Sequence, residues 1–202
     1  MSFEPRTQAD LLKLIAEYPL AWVVSADSSG FCATPLPMLA EPGPDGGAAS
    51  LLGHFALSNP HVAMLRAAPQ ATILFMGPQG YISPELISKP GWAPTWNYAV
   101  AQFDVRIEFV PQENSQALEK LVYWMERERQ VPWTVARMGV RYERMAQKIV
   151  AFRAQIQRVR GRFKLGQDET QQTRTEMLQK LDNADLVRWM ADFNPQAVEK
   201  PS

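Results

Sequence analysis

Residues 149–165 of the chain read IVAFRAQIQRVRGRFKL. Apolar and polar side chains alternate along this stretch, which is typical of a strand with one buried and one solvated face. The alternation changes phase once, near Gln157 or Arg158, and this slip predicts a β-bulge. The predicted buried face contains, in order, Phe152, Ala154, Ile156, Val159, Gly161, Phe163 and Leu165. The opposite face carries a row of cations, namely Arg158, Arg160, Arg162 and Lys164.

The rest of the chain predicts further short strands and several helices. Extended patterns occupy residues 20–26, 31–39, 49–57, 71–76 and 95–110, with a hairpin turn at residues 28–30. Helices are predicted at residues 7–18, 59–65, 113–129, 141–148 and 170–193, irregular loops at 41–48 and 77–94, and a frayed tail beyond Pro195. We therefore expect an antiparallel β-barrel of the α+β class. A dinucleotide-binding βαβ fold is disfavoured, because no strand is followed by a Gly-rich turn and a crossover helix.

The composition is that of an ordinary globular domain. Of the 202 residues, 46% are hydrophobic and 21% are charged, which is enough to bury one core. Lys+Arg and Asp+Glu both number 21, so no net charge would hold the whole molecule on nucleic acid or an anionic membrane. Cys32 is the single cysteine and there are 2 histidines, which disfavours a disulfide or a structural zinc site. Without an apolar signal core or a long apolar run, we expect a cytoplasmic protein with no membrane segment.

Three segments combine residues that could bind a ligand. Residues 52–61 end a strand and open a helix, whose first N–H groups attract anions; the simpler interpretation is that Asn59 only caps the helix and that His54 is an ordinary strand residue. Residues 75–98 mix aromatic rings with small polar groups, which suits a flat ligand such as a flavin or a loop held by buried rings. The cations at 158–164 could clamp a phosphate, contact DNA or simply solvate an edge strand. None of these segments identifies a catalytic residue, and no metal site is predicted.

Short motifs in a fixed order along residues 1–168 are similar to those of a known family. They are PLPML (35–39), GHFALSNPH (53–61), FMGPQGYISP (75–84), PTWNY (94–98), PW (132–133), IVAF (149–152) and GRFKLGQ (161–167). The chain resembles the PaiB family of FMN-binding negative transcriptional regulators. This resemblance implies an FMN-binding split barrel with Greek-key-like antiparallel strands and peripheral helices. It also implies a homodimer that holds the flavin in grooves between its subunits.

The matching motifs imply which residues would contact FMN. They are Thr34, Leu36, Pro37, His54, Ser58, Asn59, Thr95, Trp96, Asn97, Lys164 and Gln167. The resemblance also divides the chain into a split-barrel domain at 1–168, with a helical insertion at about 113–148, and a C-terminal helix and tail at 169–202. We expect the C-terminal segment to pack on the same domain.

Several residues depart from the family pattern. Leu57 stands where relatives have arginine, and Gly166, Asp168 and Glu169 stand in place of a serine, an asparagine and an arginine. Lost cations and an added carboxylate weaken the attraction for a phosphate. Three functions are therefore considered: an FMN-binding protein of this type with oxidoreductase activity, a negative transcriptional regulator that acts through DNA or a partner, and a dimeric interaction module with a vestigial pocket.

Overall fold

The structure, a computed structural model, describes residues 3–28 and 30–195. Ser29 of the predicted turn and residues 196–202 of the predicted frayed tail lie outside the described residues. The strands are β1 (Leu20–Asp27), β2 (Gly30–Pro37), β3 (Leu39–Pro42), β4 (Ala48–Ala56), β5 (Gln70–Ile82), β6 (Thr95–Phe109) and β7 (Ile149–Lys164). The helices are α1 (Gln8–Glu17), α2 (Pro60–Ala67), α3 (Asn114–Glu126), α4 (Arg141–Ala146), α5 (Gln171–Lys180) and α6 (Ala184–Phe193). Short 3₁₀ turns occupy Pro84–Leu86, Pro111–Glu113 and Val135–Met138.

The described strands form one antiparallel sheet in the order β2-β1-β5-β6-β7-β4-β3. The strands at its two ends, β2 and β3, are consecutive in the chain with Met38 between them, and β2 also approaches β4. The sheet therefore curves round on itself into a split barrel, because its first and last strands meet at one corner. The predicted α+β class and barrel architecture are confirmed.

Aromatic rings fill the centre of the barrel. The ring centroids of Phe55 and Phe152 are 5.0 Å apart, and those of Phe75 and Phe103 are 5.5 Å apart. Burial of apolar surface is the main favourable contribution to folding, and each aromatic ring buries a large area. The largest fully buried side chains include Trp189, Phe55, Phe75, Phe103, Phe152 and Phe163.

The bulge predicted in β7 is confirmed. Asp104 of β6 pairs with Arg158 and its neighbour Val105 pairs with Ile156, so Gln157 is the additional residue. The bulge shifts the alternation by one residue, and for this reason the cations that follow it point away from the core.

Two predicted loops contain regular structure. The segment at 41–48 begins inside β3, which is ordered because it pairs with β4 at the sheet end. The segment at 77–94 begins inside β5, which continues to Ile82 through a bulge between Met76 and Gln79. That bulge accommodates Pro78, which has no N–H to donate to a ladder.

The single helix predicted at 170–193 is wrong, because the segment forms two helices. α5 ends at Lys180, and the side chain of Asn183 caps α6 by accepting from the N–H of Leu186 at 3.0 Å. The amide of Asn183 also donates to the carbonyl of Gln79 at 3.1 Å. One side chain thus both starts α6 and attaches it to β5.

The C-terminal helices share the barrel core. Met177, Leu186, Trp189 and Met190 are fully buried in the same hydrophobic cluster as the barrel rings. The indole of Trp189 donates to Glu17 Oε2 at 2.7 Å, which connects α6 to α1. The contacts of α5 and α6 are therefore as central as those of the strands.

α3 and α4 lie between β6 and β7, within the segment predicted as helical. The Asn114 side chain accepts from the N–H of Ala151 at 2.8 Å and donates to the carbonyls of Ala146 at 3.1 Å and Ile149 at 2.9 Å. Asn114 thus hydrogen-bonds the start of the helical insertion to the residues at its end.

Candidate functional site

Side chains of four adjacent strands point away from the core and form a surface that we call the outer face. The strand register aligns them in two rows, Trp22, Leu74, Gln102 and Arg160 in one and Met76, Val100 and Arg162 in the other. The groove between these residues has a volume of about 460 Å³. Met76 is 62% exposed and Trp22 is 50% exposed, and contiguous large apolar groups of this kind mark a binding surface.

One cation of the outer face is held by a carboxylate. Arg160 donates to Asp104 Oδ2 at 2.9 Å, and Gln102 and Thr72 donate to Asp104 Oδ1 at 3.0 and 3.2 Å. The Gln102 amide and the Arg160 guanidinium lower the pKa of Asp104 below its usual value. Arg160 is therefore partly neutralised within its own sheet.

The next two cations of the row are bonded to uncharged groups. Arg162 donates from Nε to the Tyr98 hydroxyl at 3.0 Å, and Lys164 donates to the Thr95 hydroxyl. A guanidinium has five N–H donors and an ammonium has three, so each cation has more donors than these bonds use. Arg162, Lys164 and Thr95 thus form a positively charged end of the outer face, and this end includes two of the predicted cofactor residues.

The other predicted residues of this end have different environments. Trp96 is 49% exposed on the outer face, where its ring is 5.9 Å from that of Tyr81. Asn97 is buried and its amide contacts Met190 Sδ at 3.5 Å. The Gln167 side chain is hydrogen-bonded to the backbone, since it accepts from Leu165 N and donates to Phe163 O, both at 2.6 Å.

Thr34 and Asn59 belong to a buried network around His61. The His61 ring contacts Ser25 Oγ through Nε2 at 2.8 Å and Thr34 Oγ1 through Nδ1 at 2.9 Å. Ser25 donates to Met64 Sδ at 3.1 Å, so it accepts from His61 Nε2–H, and His61 Nδ1 then accepts from the Thr34 hydroxyl. Asn59 caps α2 by accepting from His61 N at 2.9 Å, as the simpler interpretation of this segment expects.

Four further predicted residues lie on β2, on β4 and in the turn before α2. Leu36 packs against the core, and Pro37 pairs with the exposed Leu20 of β1. His54 is half-buried in β4, and burial lowers its pKa below the usual value for histidine. Ser58 is exposed in the turn before α2.

The predicted cofactor residues are spread along the sheet, with Thr34 and Thr95 far apart. The register aligns Thr34 with Val23, Ile73 and Phe103. Phe103 is eight residues along β6 from Thr95, which corresponds to about 26 Å of extended strand. Within one chain, the group around Thr34 and the group around Thr95 are too far apart to contact the same flavin ring.

The residues that depart from the family pattern have local roles. Glu169 accepts from the indole of Trp92 at 3.1 Å, and Gly166 has a positive φ of 87° that favours glycine. Leu57 and Asp168 are exposed. Arg174 donates to the carbonyl of Glu169 at 2.5 Å, so α5 brings a cation to the corner where the family arginine is absent.

None of the seven outer-face residues that form the two rows was among the predicted cofactor residues, although Arg160 and Arg162 belong to the predicted row of cations. The sequence signal of the apolar part is a run of consecutive apolar residues at 20–24 of β1 and 73–76 of β5, which includes the face that a half-solvated strand leaves polar. Detection of the site requires the strand order, which brings β1 next to β5 across the 42 intervening residues 28–69.

The buried histidine predicts a pH dependence of stability. Burial lowers the pKa of His61 below the usual value of about 6.5, so the unfolded chain binds a proton more readily than the folded one. The free energy of unfolding should therefore fall as the pH decreases from 7 to 5. Urea titrations should detect this fall, and His61→Gln should reduce it while His54 still titrates. A slope that is identical in the variant and the wild type would contradict this account.

The described part of the chain contains no group of three His, Cys, Asp or Glu side chains arranged to hold a metal ion. Over the same residues, no helix is both long and apolar enough to cross a membrane.

The fold and the outer face define a split-barrel protein of the flavin-binding class. The chain belongs to the family described as "Putative FMN-binding domain", whose model matches residues 1–158. It is 25% identical over 154 residues to the protease synthase and sporulation protein PAI 2 of Bacillus subtilis, covering 74% of each chain. The family resemblance predicted from the motifs is confirmed.

Solved structures share the fold at low sequence identity. The FAD and heme binding protein of Mycobacterium smegmatis has a TM-score of 0.61 at 14% identity, covering 81% of this chain and 74% of that one. The flavocytochrome Anf3 of Azotobacter vinelandii has a TM-score of 0.58 at 13% identity, covering 80% of this chain and 69% of that one. These similarities establish the split-barrel fold.

Proposed function

We propose that the chain is an FMN-binding homodimer whose cofactor lies between the outer faces of two copies. One observation carries the proposal, which is an exposed apolar groove bordered by cations in a member of an FMN-binding family. Flavin mononucleotide combines a flat ring system with a phosphate, so it needs apolar contact at one end and cations at the other. The single cysteine suits a reducing compartment, and we propose a cytoplasmic location.

The residues present fit both parts of this ligand. Arg162 and Lys164, with the hydroxyl of Thr95 beside them, are suited to the phosphate. Trp22, Met76 and Val100 offer apolar contact to the ring system. When bound, a flavin would supply redox chemistry, because it can accept a hydride from a reduced nicotinamide or another small donor. The chain would orient the reactants and shield them from water.

A second copy accounts for the distribution of the predicted residues. The groove is open in one chain, and the groups around Thr34 and Thr95 are far apart along the sheet. Packing of two outer faces would cover Met76 and Trp22 of both copies and would add residues of the second copy to the groove of the first. Burial of exposed apolar groups would favour this association.

The direct test is an absorbance spectrum of the purified protein, recorded before and after incubation with FMN and gel filtration. Flavin bands that remain with the protein in a peak of dimer size are expected. Bleaching of those bands by a reduced nicotinamide would support oxidoreductase activity. A monomeric protein that retains no flavin at micromolar concentration would refute the proposal.

A charge in the centre of the outer face should separate the subunits. Met76→Glu would place a carboxylate between two apolar surfaces, at a cost of several kcal/mol of association free energy, so the dimer dissociation constant should rise at least about a hundredfold. Sedimentation velocity should detect monomers, and FMN retention should fall with them. Met145→Glu, at a residue of α4 that is 48% exposed, is the matched control and should remain dimeric.

Repression of transcription is the second candidate function, favoured by the exposed row of Arg158, Arg160 and Arg162 on one sheet face. Direct contact with DNA would shift the mobility of a promoter fragment at low salt, where phosphate contacts are strongest. The variant with all three arginines changed to alanine should lose the shift. A wild-type protein that causes no shift at low salt would exclude direct DNA contact, leaving repression through a partner.

A further inference from the structure

We propose that a second cavity, separate from the outer face, binds a small aromatic or aliphatic carboxylate. We call it the α1–α3 cavity, because it lies between α1, α3 and the strands β3 and β4. Its volume is about 440 Å³, within the range of pockets that hold small organic molecules. It shares no lining residue with the groove of the outer face.

The walls of the cavity are predominantly apolar. α1 contributes Leu12 and Ile15, β4 contributes Leu52, and α3 contributes the rings of Tyr123 and Trp124. Ile15 is 2% exposed and Leu52 is 4% exposed, so the base of the cavity is part of the packed interior. The Trp124 indole donates to the carbonyl of Ala16 at 3.4 Å, which positions its ring beside α1. Such walls favour an apolar body of the size of one or two rings.

The charged side chains at the cavity indicate the chemical class of the ligand. Glu41 and Lys120 both line it, but Glu41 is bonded elsewhere, since Oε2 accepts from Ser50 and from Arg153 Nε, both at 2.7 Å. The Lys120 ammonium is 3.5 Å from Glu41 Oε1, a longer and weaker contact. Arg153 and Ser50 thus supply hydrogen bonds to the Glu41 carboxylate, and the Lys120 ammonium retains donors for a ligand.

A carboxylate is therefore the complementary ligand head group. Lys120 is partly exposed on α3, so its stem can move while the head group stays hydrated at the entrance. A carboxylate at Lys120 would replace the long contact with Glu41 by a charge-assisted hydrogen bond. Its apolar body would cover Leu12, Leu52 and Trp124. The proposal is independent of FMN binding.

The probe for this site is 2-naphthoate, with 2-naphthalenemethanol as its uncharged analogue. Ligand-observed NMR and equilibrium dialysis on the full chain should give saturable binding of the acid below millimolar concentration, and the alcohol should bind at least about tenfold more weakly. Lys120→Met should weaken binding of the acid to the level of the alcohol. Lys148→Met, at an exposed lysine outside the cavity, should bind the acid as the wild type does. Urea midpoints would verify that each variant is folded.

Two further measurements locate the bound acid. Ala16→Phe would add a ring to the cavity wall and should abolish binding of both probes. Saturating FMN should leave naphthoate binding unchanged, because the two sites share no residue. Displacement of naphthoate by FMN, equal affinity for acid and alcohol, or undiminished binding by Lys120→Met would each overturn the proposal without affecting the case for the outer face.

Discussion

Replacement of Trp189 by alanine is expected to lower the free energy of unfolding by about 3–5 kcal/mol. The side chain is fully buried, its ring stacks on Phe193 with centroids 6.1 Å apart, and it meets Phe163 of β7 edge to face at 5.8 Å. The variant loses this packing and leaves Glu17 without its indole donor. Urea unfolding followed by far-UV circular dichroism would measure the change.

This experiment also tests the proposed assignment of 169–202 to the same domain as the barrel. If α6 is part of the barrel core, one cooperative transition shifts to lower urea concentration for the whole protein. Tyr123→Ala is the matched control, because Tyr123 is 71% exposed and its truncation should cost about 0.5 kcal/mol or less. Two separate transitions in the Trp189 variant, with the barrel transition unmoved, would mean that the C-terminal helices form an independent unit.

Combined replacement of Arg162 and Lys164 by alanine is expected to weaken FMN binding by about a hundredfold or more. Each charge-assisted hydrogen bond to a phosphate contributes about 1.5–3 kcal/mol, and the double variant removes both cations of the positively charged end of the outer face. Fluorescence titration of FMN would give the dissociation constants. Riboflavin, which has no phosphate, should bind the variant and the wild type with similar affinity.

Two exposed cations of the insertion, Arg144 and Lys148, provide the control for this change in charge. Their double replacement by alanine alters net charge by the same amount and should leave the FMN affinity within about twofold. An equal loss of affinity in both double variants would indicate a general electrostatic effect, and no loss in the first would place the phosphate elsewhere, for example beside Arg174.

Local chemistry made several parts of the fold predictable. Thr7 and Asp10 form the capping box that starts α1, and Asn59 followed by Pro60 starts α2, because these side chains bond to N–H groups within the same turn. The bulge in β7 was predictable because the change of phase in the apolar–polar alternation lies within a single strand. β3 was missed because its order derives from pairing with β4, and the break before α6 was missed because Asn183 also bonds to β5.

The candidate site was predictable only in part for a similar reason. Lys164 and Thr95 come from motifs, and the structure brings their side chains into contact. Trp22 and Met76 are apolar residues with no motif of their own, and their importance depends on exposure, which the sequence alone does not give. Thr34 lies in the motif region, but its hydroxyl bonds to His61, whose burial follows from the packing of α2.

The bulge at Gln157 makes the effect of a one-residue deletion in β7 depend on its position. Loss of Gln157 itself would remove the additional residue, so that Ile156, Val159 and Phe163 would still face the core and the cations would still face outward. Loss of Arg160 would instead shift the strand after the bulge by one residue, turning Arg162 and Lys164 inward and Phe163 to solvent. A one-codon deletion after the bulge would thus be more damaging than most substitutions in the barrel, and natural length variation within β7 should concentrate at the bulge.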